Sequence, residues 1–380
     1  MTSGIVDPVG ADRQERAVRV LVTGGAGFIG GTIVGQLLAQ GHEVVVVDDL
    51  DPAAHAGLPA GLHADAHYVW ADVRDASLWP EILPGVEAVC HQAAKVGLGV
   101  DFADVAQYVS RNDLGTATLL RALHDDRFSG PLVLASSMVV YGEGRYRCAD
   151  HGVVRPAPRA AADLAAGRYE PGCPICAAAL VAEAVPETHW LDPRNVYATS
   201  KLAQEGLASA FAREHPGCAM TALRYHNVYG PGMPRDTPYA GVASLFRSAY
   251  ARGETPTVME DGAQIRDFVH VADVARANVL AITGQGAPGI YNVCSGEPHT
   301  IADLAGALRP AGGPPPQIVG GYRLGDVRHV FADPTLAAER LGFRAAIDFD
   351  SGMAEFATAP LRSSCGPSPE IRRLENPHPH

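Results

Sequence analysis

The sequence has no apolar run near the roughly 20 residues that a helix needs to cross a bilayer. Basic residues are scarce: 30 Lys and Arg stand against 42 Asp and Glu, a formal net charge of −12. No diffuse basic surface is therefore available to neutralise nucleic-acid phosphates, and an anionic ligand needs a local cluster of Arg or Lys. The opening MTSGIVDPVGADRQERAVRV lacks the apolar core of a signal peptide. Residues 1–16 read as a disordered leader on a cytoplasmic protein. Cysteines are few and odd in number, seven, which fits poorly with a fully paired disulfide framework. What is present is ordinary for a globular chain: 47% hydrophobic and 19% charged residues, with 41 glycines supplying backbone turns. A length of 380 residues accommodates one nucleotide-binding domain and a smaller partner.

Strand-like apolar runs at 18–23, 43–48, 86–91, 131–137 and 220–224 alternate with helical stretches, the order expected of a parallel sheet with crossover helices. In 28–38 the residues Phe28, Ile29, Ile33, Val34, Leu37 and Leu38 recur on one helical face, and Gly41 is a plausible stop. The fold class expected is α/β, a Rossmann doubly wound sheet spanning 17–231, with a smaller C-terminal substrate-binding lobe from 232–265 and 296–358. Residues 266–295 return to the Rossmann domain, an insertion occupies 142–192, and 359–380 read as a disordered tail.

Val22-Thr23-Gly24-Gly25-Ala26-Gly27-Phe28-Ile29-Gly30 follows a strand and opens a helix. Gly24, Gly27 and Gly30 allow a tight turn, close approach of a pyrophosphate and close helix–strand packing, while the N–H groups at Phe28 and Ile29 face the phosphates. Asp48 ends the next strand and suits the ribose hydroxyls of NAD. With Asp49 it would repel the 2′-phosphate of NADP, and no Arg follows at once to receive one. Asp72-Val73, after a further strand, suits the adenine edge; equally, Asp72 could cap a helix starting near Ala76.

Tyr197 and Lys201 lie four apart on a helix and so point the same way. A phenol titrating at about 10 is a poor base, but a neighbouring ammonium favours the phenolate. Together with TGGAGFIG, the segments SSMVVYG (136–142), YATSK (197–201), RYHNVYGP (224–231) and RDFVH (266–270) resemble the extended short-chain dehydrogenases, the NAD-dependent sugar-nucleotide epimerases and dehydratases, over about residues 18–350. The resemblance implies that Ser137, with Ser136 as competitor, binds the reacting sugar oxygen beside Tyr197, and that Asn112 stands next to the site. It implies a diphosphate held by Asn227, Arg266 and Arg323, the last in a Tyr-Arg-Leu-Gly-Asp run ending at Asp326. Surface pairs Arg266–Asp267 and Arg323–Asp326 are the alternative.

Met138 and Val139 stand where related dehydratases carry an acid–base pair, which disfavours elimination. The expected reaction is 4-epimerisation of a nucleotide-diphosphate hexose. The rivals are 4-ketoreduction with NAD(P)H and a non-catalytic dinucleotide-binding protein. The insertion and the run TPYAGVASLFRSA resemble those of dTDP-L-rhamnose 4-epimerase-like proteins. Within the insertion, Cys148 and His151, then Cys173 and Cys176, have the ligand spacing of a zinc ribbon, a structural rather than catalytic zinc site. Reduced thiols on a flexible loop are the alternative. Helices near 101–124 and 195–214 resemble those that pair in homodimers of the family, with Leu202, Leu207 and Phe211 offering apolar contact.

Overall fold

The computed structural model describes residues 16–362 apart from Ala53, Ala56, 98–101 and 236–240. The expected leader (except Arg16), residues 237–240 of the TPYAGVASLFRSA run and the tail beyond Arg362 lie outside the described residues.

Five strands, β1 (Arg19–Thr23), β2 (Glu43–Asp48), β3 (His67–Trp70), β4 (Ala88–His91) and β5 (Pro131–Ser137), join Ala219–Tyr225 and Gly289–Val293 in one parallel sheet. Its order is Gly289–Val293, Ala219–Tyr225, β5, β4, β1, β2, β3. The central strands read as unbroken apolar runs because both faces are covered. Helix α1 (Phe28–Ala39) and helix Val271–Ile282 cover one face, with Ile33, Val34, Leu37 and Val274 packed on Val20, Val22, Val44 and Val46. Leu119, Leu123 and Phe211, from helices Gly115–Asp125 and Val196–Glu214, pack on Leu21, Val45 and Val89 of the other face. Strand order reverses between β1 and β4, so the carboxyl ends of β1, β2 and β5 open onto a crevice suited to ligands.

The smaller lobe has its own core, built from Phe246, Phe268, Leu304, Phe349, Met353 and Phe356. Its sheet corrects one expected boundary. Strand Ile265–His270 belongs to this lobe rather than to the Rossmann sheet, pairing with Asn227–Tyr229 on one side and antiparallel with Pro298–Thr300 on the other. Register decides this: Arg266 sits opposite His299, and only from Val271 does the chain return to the large sheet.

The insertion forms a three-stranded antiparallel sheet from Arg145–Cys148, Gly152–Val154 and Val181–Glu183, with a short helix Ala161–Ala165. The tail expected to be disordered from 359 is also corrected at its start. Pro360 accepts from Gly232 N and Arg362 pairs with the backbone of Met233 and Arg235, so 359–362 are held against the lobe.

Candidate active site

The turn after β1 is shaped by its glycines. Gly24 has φ +69°, and a Cβ there would lie 2.8 Å from Ala93 N; one on Gly30 would lie 2.1 Å from Gly24 O. Gly27 caps α1 without a side chain, so the free N–H groups of the first turn stay accessible to an anion. Asp48 braces this turn from β2: one carboxylate oxygen accepts from Ala26 N at 3.0 Å and the other from Leu50 N at 2.9 Å. Asp49 lies 3.6 Å from Arg111, and burial pushes its carboxyl above the usual range.

Asp72 departs from both expectations. Its carboxylate closes a turn onto Arg74 N at 2.9 Å and pairs with the Arg74 guanidinium, which holds its pKa down. No helix starts at Ala76; the next one is Trp79–Ile82, capped at Leu78. The Asp72 carboxylate is thus paired with Arg74 in this structure, one third of it remaining exposed. Asn112 also meets protein groups. Fully buried on the π-helical turn Val109–Leu114, it accepts from Lys95 N (2.7 Å) and donates to Lys95 O (3.0 Å) and Ser200 Oγ (2.8 Å). Both amide N–H groups are spent tying the loop after β4 to the helix that carries Tyr197.

Asn195 starts that helix, its side chain accepting from Ala198 N at 2.8 Å, so Tyr197 sits in the first turn facing the end of β5. Burial pushes the Tyr197 phenol up to about 12, opposed by a hydrogen bond with Ser137. The two serines point differently. Neighbours on a strand face opposite ways, and Ser136 turns away to bond Glu205. Lys201 is not found pairing with the phenol. Its Nζ donates to Ala135 O at 3.0 Å, and burial lowers its pKa to about 8 against Asp113 and Glu205. The expected lowering of the phenol by this ammonium is not seen, since desolvation dominates Tyr197.

On the lobe side, Asn227 opens its strand with a buried Oδ1 that no donor among the described residues meets. Arg266 spends its terminal nitrogens on Ile265 O and Arg328 O (each 2.8 Å) and Val327 O (2.6 Å), so it secures the 327–328 loop rather than standing open to a phosphate. It does not pair with Asp267, which is buried and accepts from Ser295 and Gly296. Burial raises the carboxyl of Asp326, and the charges of Arg323 and Arg266 oppose the rise, so the three groups share one neighbourhood. Arg323 is exposed there.

The insertion brings Cys148, His151, Cys173 and Cys176 together, their ligand atoms all within 4.8 Å. Cys148 Sγ lies 3.5 Å from His151 Nδ1 and 3.7 Å from Cys176 Sγ, and Cys173 Sγ lies 3.7 Å from His151 Nδ1. These match the edges, roughly 3.7 Å, of a tetrahedron around an ion with bonds of about 2.3 Å to sulfur. Burial raises the Cys173 thiol, but N–H groups of Cys176 and Ile175 outweigh it and bring the pKa to about 6.

The model of the NAD-dependent epimerase/dehydratase family matches residues 20–159 and 175–294. The chain belongs to that family. A dTDP-L-rhamnose 4-epimerase of Burkholderia thailandensis is 34% identical over 350 residues, 90% of this chain and 94% of the relative. Among solved structures, the UDP-glucose 4-epimerase of Thermotoga maritima with UDP-glucose has a TM-score of 0.73 at 28% identity, covering 90% of this chain and 97% of that one. A Thermus thermophilus UDP-glucose 4-epimerase in complex with NAD gives 0.67 at 30% identity, covering 90% and 98%.

Within this member of the epimerase/dehydratase family, the match skips 160–174, in the middle of the insertion, so Cys173 lies on an addition to the shared fold. Several structural charges escaped sequence reasoning. Glu205, on the helix that carries Tyr197, grips Arg224 at 2.9 and 2.8 Å; its signal was the four-residue step from Tyr197 through Lys201. Arg159 bonds Glu260 (2.9 Å) and Asp326 O (2.7 Å). Arg328, 1% exposed, meets Glu260, Asp261 and Glu170. Glu170 also meets His329 Nε2 at 2.9 Å, and Tyr169 OH donates to Gly320 O. The insertion is thereby bound to the loop that carries Arg323 and Asp326. Apart from Glu205 and Arg224, 19 residues apart, these partners lie more than 50 residues apart in the chain, beyond any local pattern.

Proposed function

We propose that this protein is an NAD-dependent 4-epimerase of a nucleotide-diphosphate hexose, such as a dTDP- or UDP-linked sugar. The observation that carries the reading is that Ser137, at the carboxyl end of β5, and the Tyr197 phenol are near enough for the serine to favour the phenolate, at the mouth of the glycine-turned sheet, with Met138 and Val139 adjoining. Such a site can move one proton at one carbon but has no second acid–base pair for elimination. The turn Gly24–Gly30 with the N–H groups of Phe28 and Ile29 would hold the cofactor's pyrophosphate, and Asp48 and Asp49 would lie at its adenosine ribose. NAD, when bound, supplies a hydride acceptor and donor for carbon 4, and its positive nicotinamide favours the phenolate. Tyr197 takes the 4-hydroxyl proton and Ser137 holds the same oxygen, while Lys201, held on Ala135 O, lies one helical turn on and would be free to meet the cofactor only by leaving that carbonyl. The 4-keto sugar then turns its other face to the site and Tyr197 returns the proton. Asn227 and Arg323 would meet the diphosphate, with Arg266 holding residues 327–328 of the loop that carries Arg323.

The test is interconversion of dTDP- and UDP-hexoses epimeric at carbon 4 by purified protein without added cofactor. A requirement for stoichiometric reduced cofactor would instead identify a ketoreductase and overturn the reading. The same preparation is expected to have the mass of a homodimer by light scattering; a monomer at micromolar concentration excludes it. Of the contacts foreseen from sequence, Phe211 is buried in the core and Leu202 packs near Val140 and Tyr141, leaving Leu207 exposed. Phe102 (75% exposed), Val109 and Leu114 add apolar surface on the partner helix face. Among the described residues no helix is long and apolar enough to cross a membrane. The unpaired thiols Cys90, Cys218 and Cys294 suit a reducing cytoplasmic setting.

The cluster Cys148–His151–Cys173–Cys176 is proposed to hold one structural zinc. Four protein donors complete a tetrahedron and leave no position for substrate. Elemental analysis of protein purified without a His-tag should show one zinc per chain, lost in the Cys173→Ser, Cys176→Ser double variant. Chelation should also expose 142–192 to protease. Metal-free protein with an unaltered digestion pattern would exclude the site.

A further inference from the structure

Arg362 reaches the glycine turn from the far end of the chain. Its Nη1 donates to Ala26 O at 2.6 Å and its Nη2 to Gly27 O at 3.0 Å, one turn or less from the groups that cap α1. The approach is built rather than incidental. Arg362 N donates to Met233 O at 3.1 Å, Arg235 N donates back to Arg362 O at 3.2 Å, and Gly232 N donates to Pro360 O at 3.2 Å. Leu361 packs on the small-lobe core. Gly31 leaves the passage open, since a Cβ there would lie 3.4 Å from Nη2.

The charge of this side chain is the feature to explain. Burial disfavours its ionised form, Asp48 and Tyr68 partly opposing, yet among the described residues no carboxylate forms an ion pair with it. Asp48 already accepts from Ala26 N and Leu50 N and faces His55 at 3.6 Å. A partly desolvated guanidinium that is satisfied only by carbonyls still lacks a countercharge. An anion on the free N–H groups of α1 would supply one. A cation on Gly27 O also polarises the Gly27–Phe28 peptide, whose N–H is among the donors aimed at that anion.

We infer that Arg362 is a positioning residue for the cofactor: from the C-terminal strap it charges and stiffens the anion-binding turn, and so sets how tightly the pyrophosphate of NAD is retained. This rests on the cofactor reading above. It also couples the lobe segment 232–235 to the cofactor turn, because both hold the same residue.

The test compares NAD and adenosine binding to wild type, Arg362→Ala, Arg362→Lys and Arg362→Gln by calorimetry on cofactor-stripped protein, with thermal melting of each stripped variant. Loss of a charge at a helix N-terminus should weaken NAD by about tenfold. Adenosine, which carries no phosphate, should bind all four alike. Lys should restore most of the NAD affinity, and Gln, which keeps donors but no charge, should not. NAD binding by the Ala variant equal to wild type, rescue by Gln as complete as by Lys, or parallel loss of adenosine and NAD with a lowered melting temperature would each overturn the inference. Failure of wild type itself to bind NAD would instead strike the cofactor reading.

Discussion

Replacing Tyr197 with Phe should lower turnover by about a thousandfold or more, with NAD affinity within about twofold of wild type. The substitution removes one oxygen and keeps the ring, so its contact with Tyr108, centroids 6.0 Å apart, survives. Ser137 loses the phenol as a partner but keeps its bond with Val139 N. What disappears is the group proposed to take a proton from the sugar hydroxyl and return it. The phenol is a weak candidate before the cofactor arrives, because burial places it at about 12. Cationic nicotinamide next to it should lower that value, whereas uncharged NADH should not. Ultraviolet difference titration of wild type against the Phe variant, with each form of the cofactor, reads this directly. Near-normal turnover in the variant would remove Tyr197 from the mechanism.

Glu205→Ala should cost about 3–5 kcal/mol of stability, the penalty for leaving a buried guanidinium without its carboxylate. Arg224 is 2% exposed and is held by Glu205 through two hydrogen bonds, with Tyr141 OH a third partner at 2.9 Å. Tyr141 in turn donates to Asn292 at 2.7 Å, so the network joins the catalytic helix to three strand ends of the large sheet. Glu205→Gln keeps an acceptor for Arg224 and should lose less. Urea unfolding of the three proteins gives the ordering, and an Ala variant as stable as wild type would show that the network relaxes without cost. Activity per folded molecule should fall in the Ala variant as well, since Ser136 and Glu205 fix how β5 meets the helix that carries Tyr197.

The parts legible in the sequence were those in which chemistry depends on local backbone geometry. A strand, a turn crowded with glycines and a helix start are consecutive, so steric exclusion at Gly24 and Gly30 leaves a visible spacing. The same holds for Tyr197 and Lys201 on one helical face, and for the two knuckles whose donors meet within 4.8 Å. Asp48 was legible for its place at the end of β2, though its bond to Ala26 N was not. Asp72, Asn112 and Arg266 show the limit. Each has the residue type and place of a ligand-binding group, but a side chain with several donors or acceptors takes whichever partners the fold brings near. Here these are Arg74, the Lys95 backbone with Ser200, and the carbonyls of 327–328.

By itself, then, the sequence determined the sheet, the cofactor turn, the tyrosine and lysine on one helical face and the spacing of the two cysteine knuckles, because each is written in neighbours within a few residues or in a repeating apolar period. Only the tertiary structure decided that Ser137 rather than Ser136 faces Tyr197, that Ile265–His270 joins the small lobe, that Glu205 pairs with Arg224 and Arg328 with Glu260 in the interior, and that Arg362 rests on the turn 336 residues before it. A buried charge can be satisfied by any opposite charge or carbonyl that packing delivers, and desolvation in the interior makes that distant choice binding.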